Sequence, residues 1–185
     1  MSKQLIKMIL VAILLVVHES VTFGMDLPGV SKKEFTIKGT KIEQIHFPEI
    51  DSTQVFSTKE AIVSSTENVW KLVTATMQTA GIGTHNRKWR SDIPGNVYAS
   101  LSFPWKLDWG DAVVCEKVSA IAVFSTLKTF FDIVPNVRPD MKFKWPNDVI
   151  VDGKKISGLM VNILPISGES HQCTIGIGIN FKRRW

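Results

Sequence analysis

Val149-Ile150-Val151-Asp152-Gly153-Lys154-Lys155-Ile156 is the stretch whose reading decides the fold. Two β-rich runs meet at Asp152-Gly153, and glycine supplies the positive φ that a tight type I′ turn demands, so the stretch predicts an antiparallel hairpin. Downstream, the second arm continues through Ser157 to Leu164. Pro165 to Glu169 reads as a loop and Gln172 to Ile179 as a final strand. Upstream, Met141 to Trp145 is a strand, and Val69 to Met77 and Val97 to Phe103 show the same β-rich alternation. The clearest helix is Asp111 to Phe131, where Val114, Val118, Ile121, Leu127 and Phe131 fall at helical spacing behind Asp111 as a cap. A shorter helix opens at Ser52-Thr53, whose hydroxyls can accept an orphan backbone N–H, and takes in Val55, Phe56, Ala61 and Ile62. Consecutive antiparallel strands with one long and one short helix give an α+β fold, a mostly antiparallel sheet packed against helices. A doubly wound parallel sheet needs regular strand–helix alternation, which is missing.

The composition narrows the class further. A chain of 185 residues suits one domain with a short extension. Apolar residues at 44% and charged residues at 21% exclude a disordered tail, a collagen-like fibre and a multi-span membrane protein. Cys115 and Cys173 are the only cysteines and form no Cys-x-x-Cys pair, which argues against a disulfide-dense scaffold and a thiolate zinc site. The histidines (His18, His46, His85, His171) show no ligand spacing, and no Gly-x-Ser-x-Gly elbow is present. A formal charge of +5 suits a partner bearing phosphate or carboxylate but is too mild to single out nucleic acid.

The ends differ from the middle. In residues 1–24, Lys3 and Lys7 precede the apolar run Met8 to Val17, a signal-like or anchor-like pattern. A fortuitous N-terminal helix, or a true start at Met25, explains it equally well. The run is too short to span a bilayer, which takes about 20 residues. Any membrane association would be through this segment alone. Residues 25–45 read as a basic extension (Lys32, Lys33, Lys38, Lys41) without a helix-turn-helix, so no nucleic-acid partner is expected. Residues 46–185 hold the core, and the basic tail Lys182-Arg183-Arg184 reads as solvated charge.

Four clusters carry possible chemistry, and each has a plain structural explanation. Gly81-Ile82-Gly83-Thr84-His85-Asn86-Arg87-Lys88-Trp89 can bring backbone N–H groups and a guanidinium to an anion, or form an ordinary exposed loop. It is neither a dinucleotide fingerprint nor a phosphate loop. Lys144-Trp145-Pro146-Asn147-Asp148 ends a strand in a fixed direction and closes a turn. Lys154 and Lys155 alternate along a strand, so at most one faces a cleft. Ile175-Gly176-Ile177-Gly178-Ile179-Asn180 marks the close approach of a ligand or of another backbone.

Taken in order, these clusters resemble the catalytic core of the biotin protein ligases, over roughly residues 46–181. The order runs from Asp51-Ser52-Thr53 through Gln78, the 81–89 segment and Gly95-Asn96-Val97-Tyr98. It continues through Lys144–Asp148 and Gly153-Lys154-Lys155-Ile156-Ser157-Gly158 to Ile175–Asn180. The resemblance implies ligation of biotin to a lysine of a carboxylase biotin carrier domain, through biotinyl-5′-AMP, with ATP and Mg2+, in the cytoplasm. A functional signal at residues 1–24 would imply a secretory or anchored chain instead. Ser52, Thr53, Gln54 and Gln78 would then line the biotin end, with Ile82, Gly83, Thr84 and Gly158 around it. Lys155 would meet the biotin carboxylate, and Lys155 and Arg87 would be the catalytic cations. Gly81, Gly83, Arg87, Trp89, Lys144, Trp145, Asn147, Asp148 and Asn180 would hold the nucleotide, with Asp148 the magnesium ligand.

Two departures bear on activity. Ile82 and Thr84 stand where the family loop, Gly-Arg-Gly-Arg, has arginines, and the chain ends at Trp185 where family members continue. Each missing guanidinium removes a charge-assisted contact worth roughly 1.5–3 kcal/mol where it is made. A degenerate or truncated ligase that binds biotin or nucleotide without turnover is therefore the main alternative. A lipoate ligase-like acyltransferase ranks below it, because no Arg-Arg-x-x-Gly-Gly-Gly stretch occurs.

Overall fold

The structure, a computed structural model, describes residues 29–37, 39–63, 69–106, 112–167 and 170–181. The signal-like segment, the Asp111 cap and the basic tail lie outside the described residues. The elements run β1 (Ser31–Ile37), β2 (Thr40–Ile50), α1 (Thr53–Val63), β3 (Trp70–Gln78) and β4 (Val97–Lys106). Then follow α2 (Ala112–Ile133), β5 (Met141–Lys144), β6 (Asp148–Val151), β7 (Lys154–Ser167) and β8 (Ser170–Ile179). The strands form one eight-stranded sheet in the order β1-β2-β3-β4-β8-β7-β6-β5. Every neighbouring pair is antiparallel except β2 with β3. That parallel pair needs a crossover, and α1 supplies it. The fold is the α+β arrangement expected.

The Asp152-Gly153 hairpin forms as the sequence dictates: φ is +48° and +77° at the two turn residues, positive at both as a type I′ turn requires. The basic extension at residues 25–45 supplies, from Ser31 onward, β1 and the first half of β2 to the same sheet. Pro165 to Glu169 is not all loop, because β7 runs on to Ser167. Pro165 pairs with His171, and a register shift before Ser167 absorbs the irregularity that a residue without an N–H introduces.

Alternation divides the central strands into two chemistries. On β4, Val97, Ala99, Leu101, Phe103 and Trp105 belong to the main apolar core, and so do Cys173, Ile175, Ile177 and Ile179 on β8. Their neighbours Tyr98, Ser100 and Ser102, and Thr174, Gly176 and Gly178, point the other way, toward α1. The helix α2 covers the apolar face with part of the stripe its spacing implied: Leu127 is fully buried, and Val118 and Phe131 pack against the core. Val114 and Ile121 are 36% and 55% exposed, whereas Cys115, Ala122, Val123 and Leu127 are at most 1% exposed. The stripe fails at Val114 and Ile121, where apolar side chains also occur on the outer face of α2. The small residues Cys115, Ser119 and Ala120 choose the buried face by letting the helix sit close to the sheet.

Leu127→Ala should lower unfolding free energy by about 2–5 kcal/mol, the usual range for emptying a buried leucine site. Ile121→Ala should stay within about 0.5 kcal/mol. Urea unfolding of both variants separates them, and equal losses would place Ile121 on the buried face as well.

Candidate functional site

The N-terminus of α1 is built by its own leading residues and by a strand. Ser52 accepts the Val55 N–H on Oγ at 3.4 Å, the capping role read from the sequence. Gln78, from the end of β3, accepts both the Thr53 N–H (2.8 Å) and the Thr53 hydroxyl (3.1 Å) on Oε1. Across the sheet, Ser100 donates to Gln54 Oε1 at 3.0 Å and to Thr53 Oγ1 at 3.1 Å, and Gln54 Nε2 reaches the Thr174 carbonyl at 3.4 Å. All five polar side chains are at least 90% buried. A polar network this dry stands only when its members satisfy one another, so the first turn of α1 is held rigidly against β4 and β8.

Glycines make room beside that turn. A Cβ on Gly176 would lie 2.6 Å from Gln54 Oε1, and one on Gly158 would lie 3.0 Å from the Trp89 ring. A Cβ on Gly178 would enter the indole itself. Gly158 pairs with Gly178 across β7 and β8. The two strands therefore present bare backbone, and Trp89 lies along the trough.

The 81–89 segment is a narrow loop closed on itself. The Trp89 N–H donates to Gly81 O (2.9 Å) and the Gly83 N–H to Arg87 O (2.7 Å), with a tight turn at Thr84–Asn86 and φ of +58° at His85. Gly81 is a packing position, because a Cβ there would run into Ser91 and the Trp89 carbonyl. The Gly83 N–H is already used within the loop and is not open to an anion. Arg87 is exposed, and its Nε donates to Thr84 O at 3.4 Å.

Lys155 faces the segment from β7. Its Nζ lies 5.5 Å from the centre of the Trp89 ring and 2.6 Å from Asp148 Oδ1, a charge pair without the alignment of a directed hydrogen bond. Asn147 donates to the Leu159 carbonyl at 2.8 Å and so fixes the turn beside it.

Together these groups line a cleft of about 440 Å3. It brings together Ser52, Thr53, Gln54 and Gln78 from the α1 end with Ile82, Gly83, Thr84, Arg87 and Trp89 from the loop. Lys155, Gly158, Asn147 and Asn180 complete the expected set. Lys154, its neighbour along the strand, does not line the cleft, as alternation requires. Four expected residues are not in the lining: Gly81, Lys144, Trp145 and Asp148. Trp145 is 58% exposed, packs its edge on Phe143 and has Lys117 over its ring. The short strand β5 ends the sheet there and turns that ring outward. Asp148 stands behind Lys155. Sequence reasoning missed Ser100, Met160, Leu159 and Ala99; only the Tyr98-x-Ser100-x-Ser102 alternation pointed to a polar face there. Trp89 Nε1 and Asn180 Oδ1 are buried in the lining with no hydrogen-bond partner. Buried polar atoms are rarely left so, and here they offer one donor and one acceptor to a polar ligand.

A single sheet with a glycine-floored, cation-rimmed cleft at the start of a helix suits a small molecule that carries negative charge. The pattern of the Biotin/lipoate A/B protein ligase family matches residues 46–180, and the chain belongs to that family. Similar proteins include the bifunctional ligase/repressor BirA of Escherichia coli K12, 32% identical over 111 residues, which are 60% of this chain and 32% of that protein. BirA of Bacillus subtilis 168 is 27% identical over 140 residues, 76% of this chain and 41% of that one. The chain thus spans 32–41% of these relatives' length. Among solved structures, biotin protein ligase from Aquifex aeolicus in complex with biotin and ATP superposes with a TM-score of 0.55 at 28% identity, over 77% of this chain and 53% of that one. The Leishmania major enzyme in complex with biotinyl-5-AMP gives a TM-score of 0.55 at 25% identity, over 75% and 57%. The fold is that of the biotin protein ligase catalytic core.

Gly178→Ala should cost about 1–3 kcal/mol by overpacking the trough. In a Trp89→Ala background the same change should cost close to nothing, a coupling that a double-mutant cycle of unfolding midpoints measures. An equal cost in both backgrounds would mean that Trp89 does not occupy the trough.

Proposed function

We propose that the chain joins biotin to ATP in this cleft to form biotinyl-5′-AMP and passes the biotinyl group to a lysine of a carboxylase biotin carrier domain. The observation that carries the reading is the convergence of the α1 N-terminus, the 81–89 segment and Lys155 on one glycine-floored cleft. In the first step a biotin carboxylate oxygen attacks the α-phosphorus of ATP, and the bond to pyrophosphate breaks. In the second the carrier lysine amine attacks the acyl carbon, loses its proton, and AMP leaves.

Each group has a part that its chemistry suits. The Thr53, Gln54, Gln78 and Ser100 network orients the polar head of biotin. Lys155 holds the carboxylate against the phosphorus, and its charge, with that of Arg87, offsets the negative charge that builds there. Trp89 gives a flat apolar wall, and Asn180 Oδ1 an acceptor for an amino group of the adenine. Asp148, expected from the sequence as a magnesium ligand, is engaged by Lys155, and among the described residues no three His, Cys, Asp or Glu stand together. A Mg2+ ion bound with ATP would supply charge neutralisation on the phosphates, with Asp148 the candidate carboxylate once released from Lys155. A reaction that consumes ATP suits the cytoplasm, and that location is part of the proposal.

A second reading, binding without turnover, draws on Ile82 and Thr84. Ile82 is 41% exposed at the cleft and offers no charge to a phosphate.

Biotin-dependent exchange of labelled pyrophosphate into ATP distinguishes the two on the full chain. The ligase reading expects exchange that falls by roughly 10²-fold or more in Lys155→Ala. Biotin retention without exchange supports the binder instead. The double change Ile82→Arg/Thr84→Arg should slow release of free biotinyl-AMP, and unchanged release would show that the two positions do not govern retention.

A further inference from the structure

The two cysteines lie outside the cleft and have no part in the proposed reaction. Cys115, in the first turns of α2, and Cys173, on β8, are both fully buried, and their sulfurs approach to 3.2 Å across 58 residues of sequence. A disulfide brings two sulfurs to about 2.05 Å, so closure asks for a movement of about 1 Å between a helix and a strand that already touch. The environment is dry and apolar, with Ala120, Val123 and Ile175 in the same core. Cys173 adjoins Thr174, whose carbonyl and hydroxyl face the cleft side, where they meet Gln54 and Ser102. A bond at Cys173 would therefore tie α2 to the back of the strand that floors the cleft.

We propose that Cys115 and Cys173 form a redox pair whose oxidation to a disulfide pins α2 to β8. The oxidant is a small-molecule disulfide such as oxidised glutathione. One cysteine thiolate attacks it, giving a mixed disulfide and releasing one thiol. The second cysteine then attacks the protein-bound sulfur, the Cys115–Cys173 bond forms, and a second thiol leaves. Two protein thiols are oxidised and one disulfide is reduced. Burial, and the Cys115 sulfur beside it, push the Cys173 thiol well above its ordinary range, so Cys173 stays protonated while the core is closed. Exchange therefore proceeds through opening of the first turns of α2, or during folding, rather than on the closed surface.

The inference is independent of what the cleft binds. The test refolds the full chain from urea in reduced and oxidised glutathione and, separately, exposes the native protein to oxidised glutathione. Products are read by intact mass after thiol alkylation in denaturant. The expected product is a monomer lighter by two hydrogens with no alkylatable thiol. It keeps the native circular dichroism and melts roughly 5–15 °C above the reduced form, a gain that dithiothreitol reverses. Cys115→Ser and Cys173→Ser should each abolish that gain. Mixed glutathione adducts, intermolecular dimers, two free thiols after oxidative refolding, or a cross-linked form that melts below the reduced one would each overturn the proposal.

Discussion

The two-residue period of β4, β7 and β8 is the constraint on which the rest depends. Along the central part of these strands alternate side chains are committed to the apolar core beneath α2, and most of the residues between are small or polar, among them Ser100, Gly158, Gly176 and Gly178. One residue of register slip would place the isoleucines in the cleft and the glycines in the core, removing both at once. Fold stability and the site are therefore two faces of one pattern. The first turn of α1 and the indole of Trp89 come close to the sheet only because nothing projects from it at those glycines.

The same geometry accounts for the pairing of Lys155 with Trp89 and Asp148. Lys155 pairs with Ile150 beside a register shift in the β6–β7 ladder, where the strand bends locally. Its ammonium finds a carboxylate on one side and a ring face on the other. It is 43% exposed, so the pair confers orientation more than stability, and the charge stays available to an anion entering the cleft.

Much of this was legible in the chain because it is local. Asp152-Gly153 fixes a turn by its own backbone preferences, and Ser52-Thr53 announces a helix start. The order of the glycine-bearing segments placed thirteen of the seventeen expected residues on one cleft. What was not legible depends on partners distant in sequence. Strand β1 carries Lys32, Lys33 and Glu34 because it is an edge strand, where charge guards an open ladder, and that hid the strand within the basic extension. Part of the buried face of α2 was set by close packing among small residues. Trp145 turned outward because β5 closes the sheet, and Ser100, lacking any motif, owes its place to the register of β4 with β8.

Calorimetric titration of biotin into the full chain, beside a Gly176→Val variant whose folding is checked by circular dichroism, tests the central claim most directly. The variant's added methyls would occupy the space of the Gln54 amide. One site per chain in the parent, lost in the variant at unchanged fold, is the predicted result. No binding to the parent, or equal binding to both, would contradict the account.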